Sequence, residues 1–319
     1  MRADRTGGAE MSTIIAVVWD FDKTLVDGYM EDPIFEDYGV DANEFWEETS
    51  LLAAKLSAEQ NVMVNRDTYY LNRFISYAKK GIFKGLDNKK LMEYGKVLNF
   101  YPGAVEIFSD LRNLIENDPK YSENDIHVEH YIVSTGFKKV IEGSQFASLV
   151  RRCWGCELID EPLGADGENV ISEITYTIDN TTKTRALFEI NKGVGIVPNI
   201  DVNTKLPEQL RRIHFKNMIY VADGPSDIPA FSLVNRNGGA TFAVYPAGDN
   251  RAFKQVENMR KDGRVKMFAE ADYRKNTTAH MWLCNKVTEF ADRILLEQKN
   301  RLIESMGSGS PTHLPDSKA

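Results

Sequence analysis

Cysteine is scarce in this chain: Cys153, Cys156 and Cys284 are all that 319 residues contain. Three thiols cannot form a disulfide framework. Cys153 and Cys156 make a Cys-x-x-Cys pair, but a structural zinc site wants a second pair and only Cys284 remains. A redox pair wants a thioredoxin-like setting, which the flanking sequence lacks. Two reduced, partly buried thiols are the expectation. An excess of positive charge is missing too. Lys and Arg number 39 against 47 Asp and Glu, for a formal net charge of −8 and a pI near 5.3. That argues against a broad nucleic-acid or anionic-membrane surface. No apolar run reaches membrane-spanning length, and residues 1–10 carry no apolar signal core. The expectation is a cytoplasmic protein with no nucleic-acid or membrane partner. Without a secretory signal, the sequons at Asn180-Thr181-Thr182 and Asn276-Thr277-Thr278 are discounted. Residues 1–10 are polar, and residues 307–319 are rich in Gly, Ser and Pro. Both read as flexible termini, and Met11 serves as well as Met1 for the start of the fold.

What is present is apolar matter enough, 42% hydrophobic against 27% charged, for one sizeable core and a second small domain. The most informative stretch is an apolar run, Ile14 to Trp19, that drives straight into Asp20-Phe21-Asp22-Lys23-Thr24. Its β-branched content predicts a strand buried on both faces, as in a parallel sheet. Period-2 geometry puts Asp20 and Asp22 on one side of the chain as it leaves the sheet. Paired acids facing one point suit a nucleophile with a proton shuttle, or the binding of a hard cation. The pattern recurs. Residues 130–133 lead into Ser134-Thr135-Gly136, and residues 215–222 lead into Asp223-Gly224-Pro225-Ser226-Asp227. In an open α/β sheet, ligands bind outside the carboxyl ends of the strands, so the three polar ends converge on one crevice. The predicted fold is α/β, a doubly wound, Rossmann-like, mostly parallel sheet.

Taken together, these segments resemble the haloacid dehalogenase-like hydrolase superfamily, in its phosphoserine-phosphatase-like branch. Asp20-Phe21-Asp22-Lys23-Thr24 matches the nucleophile motif DxDx[T/V]. Ser134 matches the second motif, a lysine upstream the third, and Asp223 with Asp227 the acidic fourth, all in order over residues 14 to about 246. The resemblance implies a Mg²⁺-dependent phosphatase that hydrolyses a small phosphorylated metabolite through an aspartyl-phosphate. Asp20 is then the nucleophile. Asp22 protonates the leaving oxygen and deprotonates water, and its presence points to phosphate esters, since relatives that cleave carbon–halogen or carbon–phosphorus bonds lack it. Mg²⁺ takes oxygen ligands and keeps several waters; Asp20, Asp223 and Asp227 are the candidate carboxylates, with the backbone carbonyl of Asp22. Asp227 also reads as a helix-capping acid, and the resemblance implies that it supports the metal or the lysine. Ser134, Thr135 and Gly136 form the expected phosphate nest in a tight turn, and Thr24 is a minor phosphate-site residue or a turn cap.

The lysine is Lys183 or Lys192. Both lie in a predicted helix over 183–192 stopped by Gly193. Helices of a doubly wound fold begin at the carboxyl edge of the sheet. Nine residues at about 1.5 Å each set the two lysines roughly 13 Å apart. Lys183 therefore faces the site, and Lys192 steadies the helix C-terminus.

Between the first strand and residue 100 the chain is helical, with candidates at 42–60, 67–80 and 88–98. So long a stretch is no ordinary connection. It predicts a helical cap over 27–100, of the family's C1 type, inserted in a core of 11–26 and 101–306. Within the cap, Glu31 is the substrate-specificity candidate: it lies near the position where phosphoserine phosphatases carry a cap glutamate, although Asp27-Gly28-Tyr29-Met30-Glu31-Asp32 departs from their usual sequence, and it cannot travel far from Asp20; Arg66 and Arg73 are further polar candidates. A core helix is predicted over 104–116, a strand over 127–133, a last short strand over 241–245, exposed antiparallel strands within 157–179 around a turn at 163–167, and a long closing helix over 277–304. His127 and His130 flank a strand and read as ordinary residues. Two other functions stay open: a phosphotransferase or phosphomutase, and a non-catalytic binding module. The sequence leaves the substrate's identity and the oligomeric state undetermined.

Overall fold

A computed structural model describes residues 12–163 and 167–307. The expectations for residues 1–10, for the tail beyond 307 and for the middle of the turn at 163–167 lie outside the described residues. Seven strands form one sheet: β1 (Ile14–Trp19), β2 (His127–Phe137), β3 (Arg152–Glu161), β4 (Val170–Tyr176), β5 (Met218–Ala222), β6 (Ala240–Tyr245) and β7 (Met267–Glu270). Their order is β4-β3-β2-β1-β5-β6-β7. Neighbours run parallel throughout, except that β3 and β4 are antiparallel.

The alternation of β1 decides the layering. Ile15, Val17 and Trp19 point to one face, where they pack with helices α5 (Glu106–Glu116) and α11 (Thr278–Gly307). Ala16 and Val18 point to the other. There they meet α8 (Lys183–Lys192), α9 (Ile228–Arg236) and α10 (Asn250–Lys261). Covered on both sides, the strand can be apolar at every position, which is why it reads as an unbroken run. Short helices α6 (Pro119–Ser122) and α7 (Lys138–Gly143) complete the core.

Four helices stand between β1 and α5: α1 (Asp32–Tyr38), α2 (Ala42–Gln60), α3 (Tyr69–Lys79) and α4 (Asn88–Gly95). Asp41 and Asp87 start two of them, their carboxylates accepting from the N–H groups of Glu44 and Lys90. The insertion carries its own aromatic cluster. Phe35 lies 4.9 Å from Phe45 and 5.5 Å from Phe74, ring centre to ring centre, and Phe74 lies 5.0 Å from Phe137 at the end of β2. A second seam is the crossing of α4 over α7, where two glycines let the backbones touch. A Cβ on Gly143 would stand 1.9 Å from the Met92 carbonyl oxygen, and one on Gly95 2.1 Å from that of Val140.

Three expectations shift. Residues 215–217 are a 3₁₀ turn, so β5 begins only at Met218. The strand over 240–245 is not the last, since β7 follows it. The antiparallel segments within 157–179 are less exposed than their alternation suggests. β3 continues the main sheet beside β2, and Val170, Ile171 and Ser172 are buried against the helical insertion, with the Ile171 N–H donating to the Leu86 carbonyl.

Candidate active site

The order of the sheet reverses at β1, which has β2 on one side and β5 on the other. Their carboxyl ends therefore open onto one crevice. The N–H of Asp20 still donates to the Val221 carbonyl at 2.9 Å, so the first acid is held at the sheet's edge. Beyond it, the N–H groups of Thr24, Leu25 and Val26 all turn back onto the Phe21 carbonyl. The tight loop forces Lys23 to φ 54, a left-handed conformation that a lysine adopts only under constraint.

The ammonium of Lys183 is completely enclosed. It donates to Asp20 Oδ1 at 2.9 Å and to Asp227 Oδ1 at 2.7 Å. The loop before α8 makes this possible: the Asp179 carboxylate accepts from the N–H groups of Thr181 and Thr182 and so sets the first turn of the helix. Asp227 also accepts from the Tyr220 hydroxyl at 2.5 Å and, on Oδ2, from Ser226 at 2.8 Å. With Lys183 bound to Oδ1 of Asp20, the other oxygen is left for chemistry. Asp22 accepts from the Met30 N–H at 2.7 Å.

Too many carboxylates share this space for one lysine to neutralise. Burial pushes Asp20 up to about 8; Lys183 pulls it down, while Asp227 and Asp223 push it further up. Burial, then Glu31 and Asp20, raise Asp22 well above the ordinary carboxylate range. Burial and Asp227 bring Asp223 to about 6. Lys183 is raised despite its burial, because Asp20 and Asp227 face it. Oxygens of Asp20, Asp223 and Asp227 lie within 4.8 Å of one another. A crowded set of hard oxygen donors fits a divalent cation, which would hold those acids ionised. Because three donors already occupy Asp227, Asp20 and Asp223 are the freer ligands.

The cavity over these groups measures about 380 Å³. Of the residues named from sequence, Asp20, Asp22, Asp223, Glu31, Thr135, Gly136 and Arg66 line it. Glu31 is 3% exposed, and burial pushes it up to about 8. Ser134 sits just behind the wall, its Oγ accepting from the Gly136 N–H at 3.0 Å. The segment is strand rather than tight turn, because β2 runs on to Phe137; that Gly136 donor is thus already used.

Four assignments need correction. Thr24 is fully buried and does not line the cavity, and its hydroxyl has no partner, so it neither reaches a ligand nor caps a turn. Asp227 makes no helix-capping bond, since its oxygens are taken by Lys183, Tyr220 and Ser226. Arg73 is paired with Glu48 at 3.1 Å, away from the cavity. Lys192 donates to the carbonyls of Val202 and Thr204 and pins a loop instead of its own helix end. Lys23, Tyr29, Trp46, Asp67, Tyr70, Asn180 and Ser226 also line the cavity, and none of them stands out in the sequence as a site residue. Lys23 and Ser226 sit inside motifs already singled out. The three aromatics have no spacing that would have found them.

An uncharacterised protein of Borreliella burgdorferi is 34% identical over 290 residues, spanning 87% of this chain and 98% of its own length. No family model matches. Among solved structures, a HAD-family hydrolase from Salmonella enterica serovar Typhi superposes with a TM-score of 0.49 at 13% identity, covering 81% of this chain and 67% of its own. A phosphoserine phosphatase in its apo form gives 0.46 at 17% identity, covering 82% and 96%. A predicted phosphoglycolate phosphatase from Haemophilus somnus gives 0.40 at 12% identity, covering 83% and 97%.

Proposed function

We propose that this chain, which belongs to one family with the Borreliella burgdorferi protein, is a Mg²⁺-dependent phosphomonoesterase of the haloacid dehalogenase-like type, acting on a small phosphorylated metabolite through Asp20. The observation that carries this reading is the enclosed array of Asp20, Lys183 and Asp227 beneath a cavity that Asp22 also lines. Asp20 and Asp223, with the Asp22 carbonyl, would hold the cation, which supplies charge against the repulsion between a carboxylate and a phosphate anion.

The free oxygen of Asp20 attacks phosphorus, and the ester oxygen leaves as the bond to it breaks. Asp22 gives that oxygen its proton, a role suited to an acid raised well above its ordinary range. Asp22, now ionised, takes a proton from water. The resulting hydroxide attacks the aspartyl-phosphate, which releases phosphate and restores Asp20. Lys183 holds the nucleophile's other oxygen and stabilises charge on the transferring group. Asp227 positions Lys183. The helical insertion over 27–100 acts as a cap that excludes water and selects the leaving group.

The test is release of phosphate from p-nitrophenyl phosphate by purified protein, with Mg²⁺ and with excess EDTA. Turnover that requires Mg²⁺ is expected. Turnover that persists in EDTA would overturn the metal assignment, and none under either condition would remove the phosphatase.

A further inference from the structure

The end of β2 carries more hydrogen bonds than a strand end needs. The Gly136 N–H donates to Ser134 Oγ at 3.0 Å. The carbonyl of the same peptide, that of Thr135, accepts from two side chains, the Tyr70 hydroxyl at 2.8 Å and the Cys156 thiol at 3.2 Å. Tyr70 comes from the cap, at the start of α3, and Cys156 from β3. A trans peptide is planar, with its carbonyl and its N–H pointing opposite ways, so two donors on the oxygen fix the aim of the N–H. Both donors are themselves held. The Tyr70 ring lies 5.8 Å from that of Phe137 and 5.4 Å from that of Trp46, centre to centre. The Ile178 N–H donates to the Cys156 sulfur at 3.4 Å. Burial raises Tyr70 well above the usual phenol range and pushes Cys156 up to about 11, so each keeps its proton and serves as a donor at neutral pH.

This chain of bonds ends on Ser134. Its hydroxyl is 1% exposed and accepts from Gly136, yet among the described residues nothing accepts its own proton. Gly136 lines the cavity, and a Cβ there would stand 3.2 Å from Asp22 Oδ2, so the bonds run alongside the site's acids. Hydrogen bonds in a row polarise one another. Donors on the Thr135 carbonyl therefore strengthen the N–H that rests on Ser134, and that N–H makes the Ser134 proton a better donor. Resting on the phosphatase reading above, we infer that Tyr70 and Cys156 are positioning residues for phosphoryl transfer, acting through the Thr135–Gly136 peptide on the Ser134 hydroxyl, which donates to a phosphoryl oxygen. The Gly136 N–H then serves the phosphate through Ser134 instead of directly. The Cys156 thiol gains a use that its Cys-x-x-Cys spacing does not show.

The test is a double-mutant cycle with Mg²⁺ on p-nitrophenyl phosphate and acetyl phosphate, whose leaving groups differ widely in size. Tyr70→Phe keeps the ring and removes the donor. Its kcat should fall by about tenfold on both substrates, a fraction of the roughly 10² to 10³ that a whole oxyanion donor is worth, with KM within about twofold of wild type. Cys156→Ala should fall by about threefold, since a thiol is the weaker donor. In protein that already carries Ser134→Ala, adding Tyr70→Phe should cost less than about twofold more, because the hydroxyl it acts on is gone. Losses that multiply in the cycle would overturn the inference. So would a loss confined to one substrate, which would place Tyr70 against the leaving group. A second readout needs no turnover: with ¹⁵N-glycine labelling, the Gly136 amide proton should move upfield in Tyr70→Phe and in Ser134→Ala as its hydrogen bond weakens or is lost. A Gly136 resonance unmoved in Tyr70→Phe would overturn the inference whatever the rates. An active wild type with unchanged kinetics in Tyr70→Phe would leave the phosphatase standing and sink only the role of Tyr70. Absence of all turnover, with the Gly136 shift present, would sink the phosphatase and leave the coupling through the peptide.

Discussion

The two walls of the cavity are made by opposite means. The core wall is short-range in sequence and ionic. Asp20 and Asp22 are two residues apart, Asp223 and Asp227 four apart, and each pair comes from the end of a buried strand. The cap wall is long-range and aromatic, drawn from the loop before α1, from α2 and from α3 through Tyr29, Trp46 and Tyr70. Strand ends fix the first wall because the sheet permits only one register. The second depends on how helices settle on a cluster of Phe35, Phe45, Phe74 and Phe83. On the proposed reading, chemistry is attached to the rigid part of the fold and selection to the part that side-chain packing can retune.

Damage to the core wall should have the largest effect. Lys183→Ala should lower turnover on an aryl phosphate by about 10² to 10³ or more, since it removes a preorganised charge. Lys192→Ala, which only releases the carbonyls of Val202 and Thr204, should keep its turnover. Steady-state kinetics of the two variants decides, and the reverse ranking would contradict the site. The seam between the walls comes next. Gly143→Ala drives a methyl group into the backbone at Met92, so thermal unfolding should report a loss of about 1–3 kcal/mol or more. An unchanged melting temperature would mean that the insertion is not fastened there.

A smaller effect sharpens the electrostatic half of the comparison. Glu31 rises from 4.5 to about 8, and Asp20 from 3.8 to about 8, on folding. Between those values the folded chain holds protons that the unfolded chain releases. Stability from these two groups is therefore present below about pH 4 and is lost as pH rises through 8. Melting curves in EDTA should show that decline, and Mg²⁺ should offset it most at the alkaline end. A decline that Mg²⁺ leaves untouched would remove the cation from the cluster. The smallest effect is at Thr24, whose buried hydroxyl has no partner. Thr24→Val should be stabilising by up to about 1 kcal/mol in denaturant unfolding, and a clear loss would restore a role to that hydroxyl.

The legible part of the molecule follows from the same contrast. β1 announced itself because both of its faces are covered, and the geometry that places Lys183 at the site follows from where helices start in a doubly wound sheet. α2 matched its predicted bounds because Asp41 supplies a cap and an apolar stripe follows. Other features were hidden for physical reasons. Of the donors that fill Asp227, Lys183 was implied by the resemblance, whereas Tyr220, inside a strand, and Ser226 follow from no local capping rule. The burial of Thr24 is set partly by Tyr273, nearly the whole chain away, whose hydroxyl donates to the Thr24 carbonyl. The aromatic wall has no period because it is assembled across helices.

On the proposed mechanism, Asp20 carries the phosphoryl group during turnover. Acid-quenching of wild-type protein turning over an aryl phosphate with Mg²⁺, followed by peptide mapping by mass spectrometry, looks for it there. A phosphoryl adduct on Asp20, absent from Asp20→Asn and from samples without Mg²⁺, is the predicted result. An adduct on another residue, or sustained turnover in Asp20→Asn, would contradict it.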